Sequence, residues 1–97
     1  MTRSEKYRKA VLRDATRRIT AYTEQNSSQL EQGASWFYAQ DSRNRQDIEN
    51  LEITLRTHDI LQSAGIKTIG QLACYPPALF GRAEKEIVEN LQYWRTI

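Results

Sequence analysis

Between Leu61 and Leu72 the chain reads LQSAGIKTIGQL, and this stretch limits the fold more than any other. Apolar residues around it recur at three- and four-residue steps, the period of a helix with one buried face. Yet Gly65 and Gly70 stand inside it, and a glycine in a helix interior costs about 0.5–1 kcal/mol relative to alanine. The spacing therefore predicts helix, break, helix. A short helix runs from Thr57 to Ala64, with Ile60 and Leu61 facing inward. Gly65 takes the left-handed conformation that follows a helix end, and Ile66 plugs the turn. Thr68 caps the next helix, with Gln71 three residues on as its capping-box partner. Gly70 falls in the first turn of that helix, where the missing side chain would bare backbone amides. A glycine hairpin with outward amides suits an anion, above all a phosphate.

The remainder of the sequence is patterned for helices too. Val11, Leu12, Ala15, Ile19 and Tyr22 give a narrow apolar stripe from Ser4 to Gln25, opened by TRSE at 2–5 with Thr2 as cap and Glu5 reaching back. So narrow a stripe needs a partner, either the rest of the chain or a second copy, which leaves a homodimer through this helix open. NSSQLE interrupts it, and Ser28 with Glu31 forms a capping box for a second helix through LEQGASWFYAQ. Trp36, Phe37 and Tyr38 cannot share one helical face, so part of that surface meets another element; a core or interface role outweighs nucleobase stacking. DSRNRQD, residues 41–47, reads as a polar linker. The expected organisation is a helical N-terminal region, 1–46, and a compact helical domain, 47–97. In the second, LEIT is an extended lead-in and Pro76–Pro77 ends one helix and starts another. Ala83, Ile87, Leu91 and Trp94 mark the closing helix. The fold class is all-α: an amphipathic N-terminal arm, then a compact helix-hairpin-helix-like domain.

Charge is unevenly placed. Residues 1–26 carry a net +4, residues 27–55 a net −3 and residues 56–97 a net +1. A basic arm beside an acidic middle suggests two contact surfaces rather than one. Lys6, Arg13 and Arg17 line up on the first helix, with Lys9 and Arg18 flanking them as a secondary basic surface. With one histidine and one cysteine, Cys74, the sequence offers no metal site of the usual kind, no internal disulfide and no Cys/His dyad. His58 beside Asp59 points away from it on a helix, which suits a solvated or capping role. Glu84, Glu86 and Glu89 read as a charged face of the closing helix with no opposing carboxylates. No phosphate-binding loop of the nucleotide-hydrolase type is present. The reading is a non-enzyme without cofactors. The basic N-terminus lacks a signal peptide's apolar stretch and no run approaches the roughly 20 apolar residues of a membrane span. A cytoplasmic protein without membrane contact is expected.

The hairpin GIKTIGQL, flanked by helices, resembles the helix-hairpin-helix motif of DNA-binding proteins. The longer stretch LEITLRTHDILQSAGIKTIGQL, residues 51–72, more specifically resembles the C-terminal domain of the bacterial RNA polymerase alpha subunit, with EIVENL at 86–91 similar to its closing helix. The resemblance extends from about residue 47 to residue 94. It implies a helical module that binds DNA through the backbone and minor groove and offers surfaces to transcription factors. By position, Arg56 matches the family's arginine that enters the minor groove, where negative potential is concentrated. Gly81 and Arg82 match the glycine–lysine step at which the last helix meets phosphate, with Lys85 one turn on. Gly65, Lys67, Thr68 and Gly70 complete the implied DNA-binding set through the first hairpin.

The sequence also departs from the family. Asp59 stands where the family has asparagine and would repel phosphate unless paired with His58 or Arg56. The stretch between IGQL and EIVENL is several residues shorter than in the family, and its second hairpin, in YPPALFGRAEKEI, holds one basic residue at its glycine. Three functions follow. The first is a small transcription-associated protein of a bacterium, phage or plasmid that binds DNA, RNA polymerase or a transcription factor. The second is an interaction adaptor that uses SWFY and the acidic middle without binding DNA. The third is a sequence-independent accessory subunit of a nucleic-acid enzyme.

Overall fold

The computed structural model describes the backbone of residues 3–97 and the side chains of residues 13–97. It contains five α-helices: α1 Arg3–Gln25, α2 Ser27–Gln40, α3 Leu55–Ser63, α4 Ile69–Ala73 and α5 Glu84–Thr96. Short 3-10 turns at Ser42–Arg45, Ile48–Asn50 and Pro77–Ala83 connect them. Among the described residues the fold is all-α, its only extended pairing a single bridge between Asp47 and Thr68. The Thr2–Glu5 cap and the side chains of Lys6 and Lys9 lie outside the described residues.

From Ala15 onward, the α1 stripe packs on the rest of the protein. Ala15 and Ile19 are buried in the same core as Leu61, Leu72, Phe80 and Ile87. Burying each large apolar side chain fully contributes about 1.5–3 kcal/mol, so Ile19 and the core it enters hold the second half of α1 against the domain. Thr23 adds a polar tie: its hydroxyl donates to the Ile19 carbonyl and lies 2.6 Å from the Tyr75 hydroxyl. The Tyr75 ring in turn packs against Tyr22 and Phe80.

The junction of α1 and α2 differs from expectation. α2 begins at Ser27, its cap position is Asn26, and its first turn receives no side-chain cap. The Ser28–Glu31 capping box does not form. The cause is local: the Asn26 amide donates to the Tyr22 carbonyl and the Asn26 carbonyl accepts from Leu30, so α2 starts at Ser27. Ser28 is then the second helical residue and does not occupy the cap position from which a hydroxyl reaches first-turn amides.

The polar stretch after α2 is folded against its neighbours. Asp41 accepts from the Arg43 amide and caps the 42–45 turn. Asn44 donates through its side chain to the Phe37 carbonyl and accepts from the Trp94 indole, which joins α2 to α5. Gln46 and Ile48 pair with the hairpin: the Ile48 amide donates to the Lys67 carbonyl and the Ile69 amide donates to that of Gln46, each at 3.0 Å.

The hairpin itself follows the sequence closely. Gly65 has φ of +84°, a left-handed conformation for which a side chain is penalised. Ile66 is buried behind it, and Thr68 and Gln71 form the expected reciprocal capping box. α3 starts two residues earlier than expected, at Leu55, because the Thr54 hydroxyl accepts from the Thr57 amide. Pro77 opens the third turn as a first helical residue.

Candidate nucleic-acid interface

Gly70 is where the expected site and the structure part. It is buried, and a Cβ built on it would lie 2.7 Å from Tyr38 Cε1 and 3.2 Å from the Asn44 carbonyl oxygen. The glycine lets α2 cross α4 closely; it bares nothing to solvent. Gly33 does the same one crossing along, where a Cβ would meet the Cys74 sulfur at 2.8 Å. Burial at this crossing pushes the Cys74 thiol pKa up.

The hairpin amides are taken as well. Gly65 donates to the Gln62 carbonyl, Ile66 to that of Leu61, and Ile69 to that of Gln46. The Gln71 side-chain oxygen accepts from both Lys67 and Thr68, at 2.8 and 3.1 Å. The Thr68 hydroxyl accepts from the Gln71 amide and is 2.7 Å from the Tyr38 hydroxyl. The amides of Gly65, Lys67 and Thr68 are therefore held by the protein's own acceptors, and Gly70 is buried beneath Tyr38, so the expected anion cradle does not open to solvent. Only the exposed Lys67 ammonium remains free to meet a ligand there.

A different set of expected residues does come together. A groove of about 660 Å3 runs between α1, α3 and the 77–83 turn. Arg56 stands on one side, in the first turn of α3, and Gly81 and Arg82 stand on the other. Arg18 enters from α1, and Ala15, Ile60 and Phe80 contribute apolar lining. All three arginines are exposed. Among the described residues the one ion pair joins Asp41 to Arg43, so no described carboxylate neutralises any of these guanidinium groups. Lys85 lies beside this groove, sharing a shallower depression with Gly81, Arg82, Glu84 and Glu89. Arg13 and Arg17 are exposed but do not line the groove.

Gly81 shapes the turn that presents Arg82. Its φ of +56° and ψ of −119° interrupt the 3-10 run, a conformation costly for any residue with a Cβ. A Cβ there would also lie 3.3 Å from Arg18 Nη2.

One acid in the groove has a structural duty that its sequence position conceals. Glu86 accepts from the Thr54 amide and, at 2.7 Å, from the Thr57 hydroxyl. It thereby satisfies donors at the start of α3 from 32 residues away. The Asn90 side-chain oxygen accepts from the Glu52 amide at 2.9 Å, so the LEIT lead-in is latched to α5 at two points. These contacts fix the helix bearing Arg56 relative to the helix that follows Arg82. Glu86 is thus withdrawn from the solvated face expected with Glu84 and Glu89.

His58 also differs from expectation. It is half-buried, and its Nε2 is shielded from solvent without a hydrogen-bond partner, so the ring is not freely solvated. Ligand atoms of Asp47, Glu49 and His58 lie within 4.8 Å of one another. Both acids are exposed, and Asp47 already accepts from the Glu49 amide as the cap of the 48–50 turn. Asp59 is exposed and pairs with neither His58 nor Arg56.

Residues 38–78 match the family model of the C-terminal domain of the bacterial RNA polymerase alpha chain. The match runs from Tyr38 at the α2–α4 crossing to Ala78 in the third turn, and over this stretch the chain is similar to that domain. It includes Arg56 and the first hairpin and stops short of Gly81 and Arg82. No curated protein and no solved structure matches the sequence.

Proposed function

We propose that this is a small, non-catalytic, transcription-associated protein that binds DNA through its alpha C-terminal-domain-like module. The observation that carries this reading is the groove in which Arg56 and Arg82, 26 positions apart in sequence, face one space without a neutralising ion pair. A narrow minor groove attracts an inserted guanidinium, and Arg82 on a glycine turn is placed to hold an adjacent phosphate. Arg56 then reads groove shape while Arg82, with Lys85 beside it, fixes the register. A bacterial or phage setting in the cytoplasm, with RNA polymerase or a transcription factor as protein partner, accords with the matched family. No helix among the described residues is long and apolar enough to cross a membrane.

Fluorescence anisotropy on an A-tract and a G·C-rich duplex tests the reading. Wild type should prefer the A-tract, and Arg56→Ala should lower affinity for it by about 1–3 kcal/mol, roughly five- to a hundredfold or more, and remove the preference. Equal binding to both duplexes that ignores Arg56 would instead support the sequence-independent accessory subunit.

A second reading, the interaction adaptor, has its own observation. Trp36 is 57% exposed and packs edge-on against Phe37, with ring centroids 5.0 Å apart. The two border a groove of about 460 Å3 that includes Trp94 and Arg43 and shares no residue with the arginine groove. Absence of DNA binding at low salt, together with Trp36-dependent capture of RNA polymerase, would favour this reading.

A further inference from the structure

The matched family segment begins after α1, so Arg18 belongs to none of the module's own elements. It nevertheless reaches the space shared by Arg56 and Arg82. We infer that Arg18 is a third phosphate-binding residue of the DNA site, contributed by the N-terminal helix, and that α1 is a built-in part of the interface.

Three observations support this. First, α1 is held in place by its core residues: Ile19, the neighbour of Arg18, is completely buried, and Ala15, one turn earlier, is buried beside the groove. The position of Arg18 is therefore fixed by packing and does not depend on DNA to dock the helix. Second, the guanidinium lies where the missing Cβ of Gly81 leaves room, its Nη2 3.3 Å from the site that a Cβ would occupy. The glycine that bends the turn for Arg82 also admits Arg18. Third, the carboxylates in the groove leave the arginines free. Glu86 is engaged by Thr54 and Thr57, and Asp14, one helical turn before Arg18, forms no ion pair with it.

Three arginines from three separate elements, around one open groove with an apolar lining, match the chemistry of a DNA backbone. Phosphates on a strand are regularly spaced, and each one neutralised releases condensed counterions. Arg13 and Arg17, on the same helix but outside the groove, carry equal charge without this placement. They separate a positioned contact from general attraction to a basic helix.

The inference rests on the DNA-binding reading, and the experiment distinguishes the two. Full-length wild type, Arg18→Gln, Arg18→Lys, Arg17→Gln and Arg56→Ala would be titrated with a short A-tract duplex over about 50–200 mM salt. Circular dichroism melts would establish that each variant is folded. Arg18→Gln should bind about three- to tenfold more weakly, with the slope of log K against log salt smaller by about 1. Arg18→Lys should keep the wild-type slope, because a point charge suffices for a phosphate, and Arg17→Gln should change both quantities less than Arg18→Gln. An Arg18→Gln variant indistinguishable from wild type, where Arg56→Ala loses affinity, would overturn the role of Arg18 and leave the DNA reading intact. Equal losses from Arg17→Gln and Arg18→Gln would overturn it in favour of unspecific attraction to α1. Failure of the wild type to bind at all would overturn both. Should Arg18→Gln not fold, the Arg18→Lys slope decides: a decrease of about 1 from wild type counts against the inference.

Discussion

The Gly65–Gly70 hairpin and the Arg56–Arg82 groove are both built around glycine turns, and they end with opposite chemistry. In the hairpin every amide described above already has an acceptor inside the protein, and Gly70 is hidden beneath Tyr38. In the groove the guanidinium groups of Arg18, Arg56 and Arg82 are exposed, and no described carboxylate pairs with them. Backbone donors near a turn are the groups that folding itself competes for, since a buried amide left unsatisfied costs about 1–3 kcal/mol. Long basic side chains escape that competition. A hairpin motif can thus persist as a scaffold whose amides are held within the fold, while exposed basic side chains elsewhere keep their charge unpaired.

The contrast is most severely tested at Gly70. If it is a packing glycine, Gly70→Val places branched carbons against Tyr38 and the Asn44 carbonyl, and overpacking of this kind costs up to about 3 kcal/mol. Valine's better helix propensity would return only a few tenths of that. A drop in melting temperature of about 15 °C is expected, with the salt slope of DNA binding unchanged in the folded fraction. A stable Gly70→Val protein that had lost affinity for DNA would instead restore the hairpin as a phosphate cradle. Gln71→Ala is milder. It removes the acceptor shared by the Lys67 and Thr68 amides and should cost about 1 kcal/mol, read by urea denaturation. Tighter DNA binding by this variant would show that the freed amides can take up phosphate, and that Gln71 had merely been occupying a functional site.

What the sequence disclosed and what it concealed divide by range. Thr68 with Gln71, Gly65 at a helix end and Pro77 at a helix start are contacts over a few residues, and local rules find them. Glu86 capping α3, Asn44 joining Phe37 to Trp94, and Gly70 beneath Tyr38 depend on tertiary approach. No local pattern distinguishes such residues from a solvated glutamate, a linker asparagine or an exposed glycine. Ser28 and Glu31 show the converse: the motif is present, yet α2 begins at Ser27, so Ser28 lies inside the helix and not at its cap. For the candidate site, resemblance pointed to Arg56, Gly81 and Arg82, which line one groove, but periodicity placed Arg18 merely on the flank of a basic stripe. Its convergence with Arg82 is set by how α1 packs on the 77–83 turn. A buried Ile19 preceded by an arginine one turn after Asp14 could have signalled the helix's orientation, but not the surface opposite it.

The smallest expected effect concerns the edge of the scaffold away from the groove. Asp41 accepts from the Arg43 amide and is clasped by the Arg43 side chain at 2.7 Å, while that guanidinium also lies over the Trp94 ring and donates to the Ile97 carbonyl. The side-chain bond to Arg43 and the bond from its amide hold the Asp41 carboxyl below its usual 3.8. A carboxylate whose pKa is depressed by folding stabilises the protein above its unfolded value, and that contribution disappears as pH falls through the lower, folded one. Asp41→Asn should therefore melt slightly below wild type near neutrality, and the gap should close as pH falls from about 4 toward 2. Added salt should narrow it as well, because both partners are partly exposed. DNA affinity should not move, as Asp41 lies outside the arginine groove. A melting difference that stays constant across this acid range would mean that the carboxylate's charge contributes nothing, and that Asp41 serves only as a neutral turn cap; a change in DNA affinity would mean that the scaffold edge and the groove are coupled.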